Sequence, residues 1–149
     1  MIVVDANLLL YAYDAGSPYH QDARRWWEAR LSEPRSVGIP WATILAFLRI
    51  GTHHRVFRHP FTVEEATRHV AAWLERPMVI PLTAGPRHWE ILSRLLHHAQ
   101  AAGNLVPDAH LAALAIENGA TLCSTDRDFA RFPGLRWENP LETGPGGAA

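Results

Sequence analysis

The stretch Asn104–Phe129, NLVPDAHLAALAIENGATLCSTDRDF, decides the fold class and points to the chemistry. Leu105 to Asn118 reads as a helix with Asp108 in its opening turn, and Gly119 closes it as a residue free to take a positive φ. Thr121 to Ser124 follows as a short apolar strand, and S-T-D-R-D-F then turns the chain with Asp126 and Asp128. These three carboxylates sit at the ends of regular elements rather than along a solvated face.

Working outward, strand and helix keep alternating. Ile2–Val4 is a continuous apolar run, the pattern of a central strand buried on both faces; Asp5 ends it and Ala6 to Tyr13 continues as helix. Tyr19 to Leu31 is helical, and its adjacent Trp26 and Trp27 stand ~100° apart, so they cannot share one core contact. Ser36 to Ile39 is a second strand. Pro40 suits the first turn of a helix from Trp41 to Gly51, which is apolar nearly all round and is therefore expected to be buried. Gly51 to Pro60 reads as a loop, and Thr62 with Glu65 forms a capping box for a helix to Leu74. Met78–Ile80 is a strand, Pro86–Ala101 a helix stopped at Gly103-Asn104, and Leu135–Trp137 a last strand. The alternation predicts an α/β fold with a mainly parallel central sheet. Residues 1–141 form one domain, and residues 142–149, ending GPGGAA, read as a flexible C-terminal tail.

At 149 residues the chain is long enough to bury a sizeable core. No run approaches the ~20 apolar residues of a membrane span, and the start lacks the basic region of a signal peptide. Cys123 is the single cysteine, which excludes an internal disulfide and suits a reducing cytoplasm; it reads as a small buried hydrophobe rather than a nucleophile. Fourteen basic residues against fifteen acidic ones give a net charge of -1, so there is no global basic field for a polyanion. A local patch must serve instead. The candidate is Arg49–His59, R-I-G-T-H-H-R-V-F-R-H, where Arg49, Arg55 and Arg58 could meet RNA phosphates beside aromatic and imidazole rings; the alternative is a solvated charged loop. The chain has no lysine, which favours bidentate phosphate contacts but would also follow from a GC-rich genome.

In an open α/β sheet, ligands sit beyond the carboxyl ends of the strands. Asp5 and Asp126 each follow a strand, so parallel neighbours would bring both to one edge, and Asp108 opens the helix before the second strand. Each has a structural alternative: Asp5 as a helix cap, Asp108 as a first-turn anion, Asp126 and Asp128 as turn residues. The nine histidines lack the spacing of a zinc site: His53-His54 and His97-His98 are adjacent pairs, and His110 alone lies close to the carboxylates.

As a set, V-V-D-A-N near the start, P-D-A-H-L-A-A-L-A and S-T-D-R-D-F resemble the PIN domain. W-A-T-I-L-A-F-L-R-I, P-R-H-W-E-I-L and D-F-A-R-F-P-G-L are similar, more narrowly, to VapC toxins of type II toxin–antitoxin systems. The resemblance spans Met1 to Leu141. It implies an α/β/α sandwich, Mg²⁺ dependence with Mn²⁺ as a substitute, endoribonuclease activity, homodimers, and neutralisation by a VapB-type antitoxin. It also assigns Asp5 and Asp108 as metal ligands, with Asp126 and Asp128 completing the catalytic set. One departure stands out. The family's usual Glu in the helix after the second strand is absent, and Ala46 occupies that place, which bears on whether one or two metals bind. Two other readings compete: a degenerate PIN domain that binds RNA or protein without cutting, and a haloacid-dehalogenase-like phosphatase. The latter normally needs an Asp two residues after the first, where this chain has Asn7.

Overall fold

A computed structural model of the protein describes residues 1–142. Among the described residues, five strands form one sheet: β1 (Ile2–Val4), β2 (Val37–Pro40), β3 (Val79–Leu82), β4 (Thr121–Cys123) and β5 (Arg136–Glu138), in the spatial order β3-β2-β1-β4-β5. Every pairing is parallel, with Ile2 in register with Val37 on one side and Thr121 on the other. Parallel neighbours need crossovers, and the crossover helices cover both faces of the sheet.

The pleat sorts side chains between two cores. Ile2, Val4 and Cys123 join α1 (Ala6–Tyr13), α2 (His20–Ser32), α3 (Trp41–Gly51) and α4 (Val63–Leu74), while Val3 and Leu122 join α5 (His88–Ala99) and α6 (Leu105–Glu117). The first core is aromatic. Trp27 and Trp73 meet edge to face at 5.8 Å, Phe47 lies 4.8 Å from Trp73, and the Trp73 indole N–H donates to the Tyr13 hydroxyl at 2.8 Å. The second core is lined by the small side chains Ala109, Ala112, Ala113 and Ala115 of α6. Small residues let a helix lie close to a sheet, which seats the first turn of α6, with Asp108, beside the strand ends.

The capping box of α4 is present in both directions, and Gly119 takes φ 61° where α6 stops. Other expectations are corrected. The helix α3 is not buried all round: Trp41 is 45% exposed and Leu45 62%, because α3 packs on α1 and α4 and leaves its other flank uncovered. α5 is shorter than Pro86–Ala101 and is ended by Gln100 in the left-handed region, ahead of Gly103. β3 runs two residues beyond Ile80; Pro81 is tolerated there because β3 is an edge strand. Of the tryptophan pair, Trp27 is buried and Trp26 packs only partly against the same core. Residues 143–149, most of the expected tail, lie outside the described residues. Among the described residues, no helix is long and apolar enough to cross a membrane.

Candidate metal centre at the sheet edge

Because all five strands run the same way, the residues that follow β1 and β4 emerge on one edge. Asp5 leaves β1 in an extended conformation and caps α1, its Oδ1 accepting from Ala6 N at 2.8 Å. Asp126 follows β4 and caps the 3₁₀ turn Arg127–Arg131, accepting from Asp128 N at 2.9 Å. Asp108 stands in the first turn of α6. Carboxylate oxygens of Asp108, Asp126 and Asp128 all lie within 4.8 Å of one another. Asp5 is not part of that triad, but its charge is felt by Asp108, and that of Asp126 by Asp5. The structural roles weighed for these residues from sequence are therefore real, and they coexist with the clustering.

Ser124, which sequence reasoning passed over, joins the two halves. Its buried hydroxyl donates to Asp5 Oδ2 at 2.7 Å and accepts from Asn7 Nδ2 at 3.1 Å and from Asp126 N at 3.0 Å. The signal was the serine two residues before Asp126, placed to bond the backbone of a turn. Asn7 thus acts as a brace, not as a second acid. Behind the edge, the buried Thr43 hydroxyl of α3 donates to Val4 O at 2.8 Å and ties the end of β1 in place. Ala46, on the same helix, is half-buried against the aromatic core.

Crowding shows in the electrostatics. The Asp108 carboxyl is pushed up to about 6, first by burial and then by Asp126, Asp5 and Asp128, with Arg131 opposing. Arg131 itself pairs with Asp128 at 3.1 Å, and it too was not singled out from sequence. Asp5 is also raised, by burial above all, against the stabilising bonds from Ser124 and Ala6 and with Asp126 adding to the rise. Either a proton or a cation relieves such a cluster. An oxygen-only donor set matches a hard divalent ion rather than zinc.

The remaining candidates lie apart. His110 faces His88, with ring nitrogens 2.9 Å apart, and burial together with His88 lowers its pKa. Arg49 is exposed in the last turn of α3, and Arg55 and Arg58 are exposed in the connection before α4. The structure does not bring them into the triad; the guanidinium that reaches it is Arg131. Cys123 is buried and its thiol is pushed up to about 12, chiefly by that burial, so it stays an unreactive core residue.

Against this geometry stand the known proteins. A family model described as PIN domain matches residues 2–135. The chain is 44% identical over 140 residues to Ribonuclease VapC37 of Mycobacterium tuberculosis, covering 94% of this chain and 97% of that protein. It is 43% identical over 141 residues to Ribonuclease VapC33 of the same species, covering 95% and 99%. Among solved structures, VapBC2 from Rickettsia felis bound to a DNA fragment from their promoter matches with a TM-score of 0.68 at 21% identity, over 93% of this chain and 98% of that one. Mycobacterium tuberculosis VapC20, described as a sarcin-ricin loop cleaving toxin, matches with a TM-score of 0.66 at 20% identity, over 91% and 99%. At such identities the solved structures speak to the fold alone.

Proposed function

The chain belongs to the PIN domain family, among its VapC ribonucleases, and from that premise we propose that it is a metal-dependent endoribonuclease of the toxin type, hydrolysing phosphodiester bonds in RNA. The observation that carries the reading is the carboxylate triad of Asp108, Asp126 and Asp128 at the carboxyl edge of the sheet, with Asp5 beside it. Those residues would hold Mg²⁺, or Mn²⁺ in its place: the triad offers the oxygens closest together, and Asp5 adds a fourth carboxylate from β1. A bound divalent ion supplies a Lewis acid and a water of lowered pKa.

The chain's own residues do the positioning. Ser124 fixes the Asp5 carboxylate and the backbone of Asp126 at once, and Asn7 holds Ser124 from α1. Arg131 neutralises part of the charge on Asp128 and brings a guanidinium to the rim where a phosphate would approach. Arg49, Arg55 and Arg58 are our candidate backbone contacts farther along the RNA, near the stacked imidazoles of His53 and His54, whose ring centroids are 5.3 Å apart. We place the protein in a cytoplasm, as a homodimer restrained by a VapB-type antitoxin. The similarity to VapC ribonucleases supports this, and exposed Trp41, Leu45 and Trp89 are apolar surface that assembly would cover.

The test is incubation of the purified protein with structured RNAs in Mg²⁺, Mn²⁺ or EDTA, beside Asp5→Asn and Asp108→Asn. Metal-dependent cleavage by the wild type and its loss in both variants are expected. Undiminished cleavage by both would sink the assigned site, whereas tight RNA binding without any cleavage would favour the degenerate, non-cutting PIN domain that Ala46 brings to mind.

A further inference from the structure

Tyr11, Tyr19, Thr125, Asn139, Leu141 and Glu142 line a cavity of about 360 Å³, whose wall includes the residue directly before Asp126. Thr125 lies in the chain between Ser124, which holds Asp5, and Asp126, so one wall of the cavity comes from the strand end that also carries the acidic centre. Tyr11 stands one helical turn from Asn7, whose amide bonds the same serine. We propose that this cavity is a nucleobase subsite, which takes an unstacked base of the RNA adjoining the phosphodiester to be cut. The inference rests on the RNA-hydrolase reading and adds a specificity element to it.

The lining suits a base in three ways. Tyr19 is 51% exposed yet fixed on both sides: its N–H donates to Ser17 Oγ at 3.1 Å, its carbonyl accepts from Ala23 N at 3.0 Å, and its ring packs on Tyr11 with centroids 5.1 Å apart. Next to it, the His20 ring nitrogen bonds Tyr11 O at 2.9 Å and pins the start of α2 to α1. A held, exposed aromatic ring is a stacking platform for any base. Asn139 is set by its Oδ1, which accepts from Leu141 N at 3.0 Å, so its Nδ2 is the atom with donors to offer a base carbonyl. Glu142 Oε1 accepts from Arg127 at 2.7 Å, and its second oxygen can accept from a base amino or imino N–H. That carboxylate in the lining disfavours a phosphate there and admits a neutral ring with N–H groups on its edge. Recognition of single-stranded RNA works through such splayed bases, stacked on aromatic rings and read at their edges.

The experiment uses the full chain, Mn²⁺, and RNA oligonucleotides carrying a randomised single-stranded segment, with cleavage positions read by sequencing. The wild type should show a base bias at one position beside the cut. Tyr19→Ala should flatten that bias and raise KM about tenfold while kcat falls far less, Tyr19→Phe should retain it, and Glu142→Gln should change which base is preferred. A bias and KM unchanged in both Tyr19→Ala and Asn139→Ala, with cleavage intact, would overturn the subsite and leave the hydrolase reading standing. A cleavage-independent arm covers an inactive protein: 4-thiouridine oligonucleotides are photo-crosslinked in Ca²⁺ and the adducts mapped. Adducts at Tyr11, Tyr19 or Asn139 support the subsite, and adducts confined to Arg49–His59 overturn it.

Discussion

β1 and β4 both run into an aspartate that caps the helix beyond it, with almost the same φ, -83° at Asp5 and -82° at Asp126. Their side chains are nevertheless committed differently. Both oxygens of Asp5 are engaged inside the protein, one by Ala6 N and one by the Ser124 hydroxyl. Asp126 spends one on Asp128 N and shares the triad with Asp108 and Asp128. One strand end is therefore pre-positioned by protein donors, and the other belongs to a crowded cluster that a proton or a cation relieves. Ser124 couples them, bonding the carboxylate of the first and the backbone of the second.

From that contrast, Asp126→Asn should weaken Mn²⁺ binding about 100-fold and Asp5→Asn only about tenfold, as read by calorimetry at pH 7.5. Asn in place of Asp126 turns one of three closely set carboxylates into a neutral amide, whereas Asn in place of Asp5 leaves the triad intact. RNA cleavage should fall in both. Equal losses of affinity would erase the distinction between the two strand ends and make Asp5 a ligand on the same footing.

Removing the coupling itself comes next in size. Ser124→Ala leaves Asp5 Oδ2, Asn7 Nδ2 and Asp126 N short of a partner in a place with little access to water. A cost of roughly 1–3 kcal/mol is expected, measurable by urea unfolding. Metal affinity should fall with it, because both arms lose their alignment. A variant as stable as the wild type, with unchanged Mn²⁺ affinity, would show that the two ends are set independently.

Asp108 gives the contrast a pH dependence. Its carboxyl sits at about 6 in the folded protein, against 3.8 for an unperturbed aspartate. Between those values the metal-free folded state holds a proton that the unfolded chain has released, so stability declines as pH rises through that window and then levels off. Metal binding runs the other way, since the ligand must be deprotonated. Mn²⁺ affinity should fall by up to about tenfold per pH unit below 6 and be nearly flat above 7. In Asp108→Asn the slope below 6 should shrink; a persistent slope would assign the proton to Asp5, which burial also raises.

How far the sequence reaches is clearest at these same residues. The strand-end position of Asp5 and Asp126 follows from apolar runs that stop at a carboxylate, and the parallel alternation brings them to one edge. The Asp108 helix is delimited by its own Gly119. What the sequence does not display is pairing over distance: Ser124 meets residues 117 and 119 positions away, and Thr43 reaches Val4 across 39. Hydroxyls like these look like ordinary turn and helix residues until the fold places them. The exposed flank of α3 is not legible in the sequence for a related reason, because apolar character around a helix says nothing about which neighbours exist to cover it. Trp41 and Leu45 face outward although the pattern asks for burial.

Ala46 offers the finest probe of the two strand ends. On α3 it lies about 300° beyond Thr43, hence within about 60° of the direction in which Thr43 reaches the end of β1. A longer acidic side chain at that position would approach the Asp5 arm from α3 rather than the triad from α6. Ala46 is half-buried against the aromatic core, so a carboxylate there is partly desolvated, and much of its attraction for a cation is offset. Ala46→Glu should therefore tighten Mn²⁺ binding only about threefold at pH 8, and that gain should vanish in an Asp5→Asn background, where the arm it supports is gone. A gain that survives in that background would place the new carboxylate with the triad. No gain in either background, with folding intact, would mean that this turn of α3 faces the core and that Thr43 is its contribution to the edge.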